Sequence, residues 1–251
     1  MNYALIGKNL RHSFSKKYFE TKFSSLGLHD YLYNLIDMPS LDMLHETITS
    51  LALDGFNVTI PYKKEIVPML DAIDPVAAEI GAVNTVKVEH SNRLHGFNTD
   101  APAFLHTLHP ILTTHISPSP HKALILGTGG AAQAVAWALR KLGIGYNFVS
   151  RNPQQHLNAI SYNDALSKTH EITIIINTTP LGMFPNCEVS PWPDAKLISQ
   201  QHLCYDLVYN PSPTLFLKQA GRQGATIKDG LEMLHLQADL SFRLWKPFSA
   251  S

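Results

Sequence analysis

The segment KALILGTGGAAQAVAWALRKLG, residues 122–143, decides the fold class of this chain. It reads as an apolar strand, a glycine turn and an amphipathic helix, and Gly127, Gly129 and Ala132 match the pattern G-x-G-x-x-A. The first glycine permits the tight turn and the second lets a pyrophosphate approach the backbone. The small third residue lets helix and strand pack closely, while the helix N-terminus faces the phosphates. This context predicts a Rossmann-type dinucleotide-binding unit.

The strand that follows, YNFVS at 146–150, should end where the adenosine ribose is recognised. NAD-binding units commonly have an acidic residue there, which accepts a hydrogen bond from the 2′-hydroxyl. This chain has Ser150, Arg151 and Asn152 instead. Because a guanidinium pairs well with phosphate oxygens, the sequence predicts NADP rather than NAD as the cofactor.

Two more strands are predicted in the second half of the chain. EITIIIN (171–177) ends at Asn177 and is followed by Thr178, and LCYDLVYN (203–210) ends in Tyr209 and Asn210. Ligands of open α/β sheets bind outside the carboxyl ends of the strands. Both strand ends are therefore predicted to lie at the edge of the sheet that faces the cofactor.

The first half of the chain alternates strands and helices, which predicts βαβ units and a largely parallel sheet. Strands are expected at 3–7, 31–37 and 56–60, and the last of these is expected to be half-buried. Helices are expected at 15–27, with Ser15 as the N-cap, at 40–55, with Ser40 as the N-cap, and at 64–73. A hairpin is expected around Ser91 and Asn92. The segment HPILTTHISPSPHK (109–122) carries three prolines and no periodicity. It is predicted to connect two domains.

Polar residues recur just after the predicted strands of the first half. They are Ser13 and Ser15, then Asn57, Thr59 and Lys63, then Asn84 and Thr85, then Asn98, Thr99 and Asp100. The carboxyl-end rule would bring several of them to one rim of the sheet. Hydroxyls, amides, one ammonium and one carboxylate suit a small polyhydroxylated acid as ligand.

The stretch GFNVTIPYKKEI (55–66) raises the question of why Lys63 follows so closely on a strand end. Two lysines after Pro61 ordinarily form a solvated helix start. Cations are, however, mildly unfavourable in a first helical turn, where the macrodipole is positive. One of the two lysines is therefore a candidate for a functional role.

Composition limits the function classes. The chain has 251 residues, 45% hydrophobic and 16% charged, with zero net charge and a pI near 7.2. This charge balance does not indicate a basic surface that would bind nucleic acid or an acidic membrane. No stretch of the sequence is apolar over a length that would span a membrane. Cys187 and Cys204 suggest neither a disulfide framework nor a metal site, so they are expected to be reduced and the protein cytoplasmic. Thirteen scattered histidines contain no HxxxH pair, so no metal is predicted.

Eight motifs together resemble those of shikimate dehydrogenases, in that family's order and over nearly the whole chain. They are RHSFSKKYF, GFNVTIPYKKE, GAVNTV, GFNTDA, GTGGAAQAV, INTTPLGM, YDLVYNPSPTLFL and DGLEMLHLQA. The resemblance implies an α/β protein with a mixed α/β substrate domain at 1–100 and a doubly wound, NADP-binding Rossmann domain at 101–229. The last helix, within 230–251, would return to the first domain.

The same resemblance implies NADP-dependent interconversion of 3-dehydroshikimate and shikimate, in chorismate and aromatic amino-acid biosynthesis. Lys63 would be the acid/base, held by Asp100. Substrate contacts would come from Ser13, Ser15, Thr59, Lys63, Asn84, Asp100, Tyr209 and Gln237. The cofactor would be held by Gly127, Thr128, Gly129, Gly130, Ala131, Ser150, Arg151, Asn152, Asn177, Thr178, Leu207 and Gly230.

Three departures from the family pattern stand out. Lys16 occupies a position where proline is common, and Ala101 one where glycine is common. After Arg151, the residues NPQQ lack a second basic side chain that often occurs there. The preference for NADP would therefore depend mainly on Arg151.

Three alternatives remain open from the sequence. One is a quinate/shikimate dehydrogenase that uses NAD, which Arg151 disfavours. Another is a non-catalytic NADP-binding sensor, which has no need of a proton donor such as Lys63. The third is a methylene-tetrahydrofolate-type dehydrogenase, which does not explain the pair Ser13 and Ser15. The oligomeric state is left open between monomer and homodimer.

Overall fold

A computed structural model of the chain describes residues 1–115 and 121–246, apart from the side chains of His12 and His115. The chain divides into two compact units, one formed by residues 1–100 together with the chain from His235 onwards, the other by Ala101–Leu234. Each unit contains a six-stranded sheet. The α/β class with two sheets is thereby confirmed, whereas the functional division at 1–100, 101–229 and 230–251 stays a prediction.

The first unit is built on a mixed sheet. Its strands are β1 (Asn2–Gly7), β2 (Leu32–Asp37), β3 (Gly55–Val58), β4 (Ala72–Ile73), β5 (Thr85–Val88) and β6 (Leu94–Phe97), in the spatial order β2-β1-β3-β5-β6-β4. β1 pairs in parallel with both β2 and β3, and β4 in parallel with β6. β5 pairs antiparallel with β3 and β6, so the hairpin predicted around Ser91 and Asn92 is confirmed. Both turn residues have positive φ, of 60° and 58°.

Helices α1 (Ser15–Ser25), α2 (Leu44–Ser50) and α3 (Pro75–Ile80) complete the first unit before Asp100. The helix predicted at 40–55 is shorter, because the Ser40 hydroxyl bonds to Asp42 instead of capping a helix. Ser15 is the first residue of α1 and not its cap, which is Phe14. No α-helix forms at 64–73, where a single 3-10 turn precedes β4.

The strand β3 is the centre of the first unit and is buried on both faces, which corrects the expectation of a half-buried strand. One face packs into an aliphatic core that includes Ile6, Val58 and Ile66. The other face lies among aromatic side chains. Trp245 stacks on Tyr3 with ring centroids 4.7 Å apart, and its indole N–H donates to the Val86 carbonyl at 2.9 Å.

The second unit contains a sheet in which every pairing is parallel. Its strands are β7 (Lys122–Leu126), β8 (Gly145–Val149), β9 (Ala159–Ile160), β10 (Ile174–Asn177), β11 (Leu203–Asp206) and β12 (Thr226–Lys228), in the order β12-β11-β10-β7-β8-β9. From β7 the next strands, β8 and β9, are added on one side of the sheet, whereas β10, β11 and β12 are added on the other. The switch in strand order therefore lies between β7 and β10. That switch point is where a doubly wound sheet binds its ligand, so the predicted Rossmann topology is confirmed.

The remaining helices are α4 (Asp100–His115), α5 (Gly130–Lys141), α6 (Tyr162–Ser167), α7 (Leu215–Arg222) and α8 (Leu231–Trp245). The connection predicted at 109–122 is wrong for residues 109–115, which continue α4 although Pro110 lies inside the helix. Residues 116–120 lie outside the described part of the chain. Throughout 1–115 and 121–246, no helix is long and apolar enough to span a membrane.

Candidate active site

A lysine and an aspartate form a nearly buried ion pair in the first unit. The Lys63 ammonium donates to Asp100 Oδ2 at 2.6 Å, and the two side chains are 15% and 8% exposed. Asp100 is the first residue of α4, where the helix macrodipole favours a negative charge. Since an ammonium has three N–H donors, the bond to Asp100 leaves Lys63 able to donate to a further oxygen.

Backbone bonds fix the turn that carries Lys63. Thr59 N–H donates to the Ile6 carbonyl, and Tyr62 N–H closes a turn onto the Thr59 carbonyl. The Lys63 carbonyl accepts from Val83 N–H at 2.7 Å, and the buried Tyr62 hydroxyl donates to the Met38 carbonyl. Lys63 therefore follows β3 on an anchored turn rather than on a solvated helix start.

The Asn84 amide is oriented by a backbone donor. Its Oδ1 accepts from Thr99 N–H at 2.7 Å, which an amide NH₂ group could not do. Its Nδ2 consequently points the other way and donates to Thr99 Oγ1 at 2.9 Å and towards Gln237 Oε1 at 3.4 Å. Asn84 and Gln237, 153 residues apart, are thus brought together.

Ser13 and Ser15 flank the start of α1 and are both half-buried. Ser13 Oγ accepts from Ser15 N–H at 3.3 Å. The preceding turn is held by the Asp37 carboxylate, which accepts from two backbone N–H groups. Burial raises the pKa of the Tyr33 hydroxyl well above its usual value, and a hydrogen bond to Ser15 acts in the opposite direction. The Ser15 hydroxyl therefore lies beside Tyr33, in the interior of this unit.

Two other predicted substrate contacts are located as follows. Thr59 follows β3 and is half-buried, and its methyl group covers Gly7, where a Cβ atom would overlap it. Tyr209 belongs to the second unit, after β11, and is half-buried there. Its contact with substrate stays a prediction.

Two polar residues that the sequence motifs did not single out take part in the interior of the first unit. Tyr33 donates to Asn57 Oδ1 at 2.8 Å, and Asn57 Nδ2 donates to Ser241 Oγ at 2.9 Å. All three side chains are at most 5% exposed. Ser241 was predictable in part, because it lies four residues after Gln237 and so on the same face of a helix.

The glycine turn of the second unit requires glycine at its first position, Gly127. Gly127 has φ of +106°, and a Cβ atom there would lie 3.0 Å from both Thr178 and Thr179. At Gly129 no atom lies within 4 Å of the corresponding position, so the backbone is open to a ligand. Thr178 Oγ1 donates to the Leu126 carbonyl at 2.7 Å and joins the turn to the end of β10.

The N-terminus of α5 suits an anion. The first turn carries no acidic residue, and the backbone from Thr128 through Gly130 to Ala131 leads into a helix of twelve residues. Ala132 is fully buried, as the close packing of helix on strand requires. Unpaired N–H groups and the helix macrodipole favour a phosphate group at such an end.

The residues after β8 fit an NADP ribose. Ser150 Oγ accepts from Asn152 N–H at 3.1 Å, and the exposed Arg151 follows the strand end without an acidic neighbour. Burial raises the pKa of Tyr162, and the charge of Arg151 acts against this shift, so the guanidinium lies near that ring. Thr128 Oγ1 and His156 Nε2 are 3.1 Å apart and link this loop to the glycine turn.

Asp206 ties together the ends of β10 and β11. Its carboxylate accepts from Asn177 Nδ2 at 2.8 Å, Thr214 Oγ1 at 2.7 Å and Val208 N–H at 3.0 Å, and it is fully buried. The Asn177 carbonyl accepts from Leu207 N–H at 3.0 Å. Gly230 packs on the Leu207 carbonyl so closely that a Cβ atom would overlap it.

Replacing Asp206 with asparagine is expected to change the pH dependence of stability. Burial raises the pKa of Asp206 to about 6 from 3.8, only partly opposed by its hydrogen bonds. The native state therefore retains the proton to higher pH than the unfolded state, and stability is lost as pH rises from about 4 to about 6. The loss is on the order of 3 kcal/mol at 1.36 kcal/mol per pKa unit.

Urea unfolding of the parent and of Asp206→Asn at pH 4.5 and pH 7.5 measures this contribution. The near-isosteric amide keeps its acceptor for Asn177 and has no charge to bury. The difference in unfolding free energy between the two proteins should shift in favour of Asp206→Asn at the higher pH. Asp30→Asn, which neutralises an exposed carboxyl group, is the control. Parallel pH profiles for the parent and Asp206→Asn would contradict the assignment.

Comparison with known proteins agrees with this geometry. A family model described as the shikimate dehydrogenase substrate binding domain matches residues 5–86. A relative from Staphylococcus aureus (strain JH9), named shikimate dehydrogenase (NADP(+)), is 38% identical over 256 residues, which are 98% of this chain and 92% of the relative.

Solved structures of a shikimate dehydrogenase and of a quinate dehydrogenase are both similar to this chain. The shikimate 5-dehydrogenase of Thermus thermophilus, in complex with NADP(H) and shikimate, has a TM-score of 0.84 at 37% identity, with 98% of this chain and 93% of that chain covered. The quinate dehydrogenase of Corynebacterium glutamicum, in complex with NAD, also has a TM-score of 0.84 but is 26% identical, with coverage of 98% and 93%.

Proposed function

This chain belongs to the shikimate dehydrogenase family, and from that premise we propose that it catalyses the reversible NADPH-dependent reduction of 3-dehydroshikimate to shikimate. It is an oxidoreductase that uses NADP and acts on a small-molecule substrate. The observation that carries the proposal is the ion pair of Lys63 and Asp100, with 2.6 Å between ammonium and carboxylate. A binding protein without catalysis has no use for such a proton donor.

Lys63 acts as the acid in the direction of reduction. NADPH, held by the residues of the second unit named below, would supply the hydride that the carbonyl carbon of the substrate accepts. As negative charge develops on the carbonyl oxygen, the Lys63 ammonium donates a proton to it and becomes neutral. Asp100 holds the ammonium in position. In the direction of oxidation the neutral amine takes the proton back from the hydroxyl group.

The remaining polar groups of the first unit orient the substrate. Ser13 and Ser15 offer hydroxyl donors to its carboxylate, and Thr59 offers a further hydroxyl group. Asn84 presents N–H groups, because its oxygen is occupied by Thr99 N–H. Gln237 lies within reach of the same amide, so the two can bind neighbouring substrate hydroxyls. Tyr209 is proposed as a further substrate contact.

The second unit is proposed to hold NADP. The N-terminus of α5, with Gly127, Thr128, Gly129, Gly130 and Ala131, would bind the pyrophosphate, and Ser150, Arg151 and Asn152 would bind the phosphorylated ribose. Asn177, Thr178, Leu207 and Gly230 would border the rest of the cofactor. The open backbone at Gly129 and the absence of an acidic residue from the first turn of α5 support this assignment.

A spectrophotometric comparison tests the proposed function. The purified protein is given shikimate or quinate, each with NADP⁺ or NAD⁺, and reduction of the nicotinamide is followed by absorbance. Shikimate with NADP⁺ should give by far the highest kcat/KM. A preference for quinate with NAD⁺ would assign the chain to the quinate-oxidising branch, and no turnover with any pair would favour a sensor.

Arg151→Ala is expected to weaken NADPH binding by roughly ten- to a hundredfold. A hydrogen bond to a charged group contributes about 1.5–3 kcal/mol, and about 1.4 kcal/mol corresponds to one decade in affinity. NADH lacks the 2′-phosphate, so its affinity should barely change and the two cofactors should approach parity. Dissociation constants for both cofactors, measured at one fixed ionic strength, check this expectation.

A second variant sharpens this test. Ser150→Asp combined with Arg151→Ala should favour NADH, because a carboxylate accepts from the free 2′-hydroxyl and repels the phosphate. Arg140→Ala, which removes a guanidinium from the far end of α5, is the matched control and should leave both affinities unchanged. Equal losses of NADH and NADPH in Arg151→Ala would mean that the arginine supports the loop instead.

The cellular setting is also proposed rather than observed. The two cysteines, Cys187 and Cys204, are not in a disulfide, which fits a reducing compartment such as the cytoplasm. No partner beyond the small-molecule substrate and cofactor is proposed, neither nucleic acid nor membrane. The assembly is proposed to be a monomer or a homodimer.

A further inference from the structure

We propose that Ser241 is a positioning residue for substrate recognition, which sets the arrangement of Asn84 and Gln237 through a buried hydrogen-bond network. This inference rests on the proposed function and concerns the same site. Ser241 is fully buried on α8, one helical turn after Gln237. It does not itself reach the substrate in this role.

Four polar partners surround the Ser241 hydroxyl group. It donates to the Gln237 backbone carbonyl at 2.9 Å and accepts from Asn57 Nδ2 at 2.9 Å. Thr85 Oγ1 lies at 2.7 Å and Thr99 Oγ1 at 3.2 Å. A hydroxyl has one proton and two lone pairs, so this oxygen is fully used.

The directions of the hydrogen bonds follow from these partners. The carbonyl can only accept, so the Ser241 proton goes to Gln237. Thr85, the nearer threonine, must then donate its proton to Ser241, and its own oxygen accepts from Asn57 Nδ2 at 3.1 Å. With its proton used in this way, Thr85 has none to give to Asn84 Oδ1, which lies 3.2 Å away.

The substrate-facing amides depend on this arrangement. Asn84 Oδ1 accepts from the Thr99 backbone N–H at 2.7 Å, and Asn84 Nδ2 is directed towards Gln237 Oε1. Ser241 also ties the helix turn that carries Gln237 to β3 and β5 through Asn57 and Thr85. The Thr99 N–H orients the Asn84 amide, and the Ser241 hydroxyl fixes the position of the helix turn that carries Gln237 relative to it.

Loss of the hydroxyl would disturb the network at several points. In Ser241→Ala the Thr85 hydroxyl loses its acceptor and can turn to Asn84 Oδ1, which has a second lone pair beside the one that Thr99 N–H uses. Asn57 loses one acceptor for its Nδ2 group. The turn of α8 that carries Gln237 loses its bonds to the sheet. Substrate recognition should suffer, while the proton transfer by Lys63 and the binding of NADP⁺ by the second unit should persist.

The test compares Ser241→Ala with Thr107→Val, a matched control. Thr107 is equally buried but lies in the second unit, where its hydroxyl is 2.9 Å from the Tyr205 hydroxyl. Ser241→Ala should raise the KM and the calorimetric Kd for shikimate about tenfold, which corresponds to the loss of one or two neutral hydrogen bonds. The kcat and the Kd for NADP⁺ should stay within about threefold of the parent values. Thr107→Val should lower the melting temperature and leave the shikimate Kd unchanged.

Further variants keep the test decisive. Ser241→Cys retains a side chain of similar size with a weak donor and acceptor, so it should fold even where alanine does not, with a smaller rise in the shikimate Kd. Thr85→Val should raise the Kd as well, and the double variant should be less than additive because both act through one network. A shikimate Kd within twofold of the parent in Ser241→Ala, or in Ser241→Cys if alanine fails to fold, would overturn the proposal. Parent protein that fails to bind shikimate would instead refute the proposed function.

Discussion

Lys63→Ala should lower kcat by roughly 10²–10⁴-fold, the usual cost of removing a general acid or base, with a far smaller change in the KM for shikimate. The reason is that the ammonium delivers its proton only as charge develops on the reacting oxygen. Ground-state contacts with the substrate come chiefly from hydroxyls and amides elsewhere in the site. Steady-state kinetics with shikimate and NADP⁺ measure both parameters.

Two further variants separate proton transfer from charge. Lys64→Ala removes the ammonium of the neighbouring residue, which is exposed overall, and should leave kcat nearly unchanged. Lys63→Arg keeps a cation opposite Asp100, but a guanidinium does not give up its proton at ordinary pH. It should therefore restore the fold and much of the binding without restoring the rate. A kcat for Lys63→Ala within about threefold of the parent would mean that another group supplies the proton.

The double variant Ser13→Ala with Ser15→Ala should weaken shikimate binding by on the order of a hundredfold or more, while the NADP⁺ Kd stays the same. Each lost hydrogen bond to a charged carboxylate is worth about 1.5–3 kcal/mol. Titration calorimetry with shikimate and with NADP⁺ checks the two affinities separately. The exposed Ser25, at the other end of α1, offers a matched control as Ser25→Ala.

The opposing outcome of this experiment is also informative. Ser13 Oγ accepts from Ser15 N–H, so the double variant loses one local turn bond as well. Tyr33 keeps its bond to Asn57, and the interior of the unit should therefore remain intact. Equal weakening of shikimate and NADP⁺ binding would show that the serines hold the fold rather than the carboxylate.

The Rossmann unit was the most predictable part of the fold. Its glycine turn lies between a strand and a helix of sufficient length, and the first glycine meets a local steric demand, as φ of +106° at Gly127 demonstrates. The ends of the strands were less predictable. β10 begins at Ile174 rather than 171, because the residues before it form a 3-10 turn.

Two helices were missed for opposite reasons. For α3 the signals were present, with Asp74 as an N-cap that accepts from two backbone N–H groups, Pro75 at the first position and Gly81 in the left-handed region after the last turn. For α4 the sequence misleads, since Pro110 and the threonines around it indicate a break. Phe104 and Leu108 are fully buried and anchor the part of α4 before the proline, and the helix continues past Pro110 although residues 109–114 are exposed or half-buried.

The polar members of the candidate site were predictable individually, but their hydrogen bonds were not. The carboxyl-end rule pointed to Lys63 and Asp100, which the structure brings to 2.6 Å. It could not indicate that β3 is buried on both faces, because that depends on α8 returning to the sheet from the far end of the chain. Tyr33 and Ser241 were missed for this reason.

The packing of Trp245 against the first strand has a consequence for folding during synthesis of the chain. Its ring stacks on Tyr3 and lies against Gly55, where a Cβ atom would leave no room for it, so the last helix completes a core that the first residues begin. The first unit is therefore discontinuous in sequence, and the second unit, continuous from 101 to 234, lies between its parts. During synthesis on the ribosome, the second unit can fold while the first unit still lacks its last helix. Although domains emerge N-terminal first, Tyr3 and Gly55 can meet Trp245 only after the whole second unit has been synthesised.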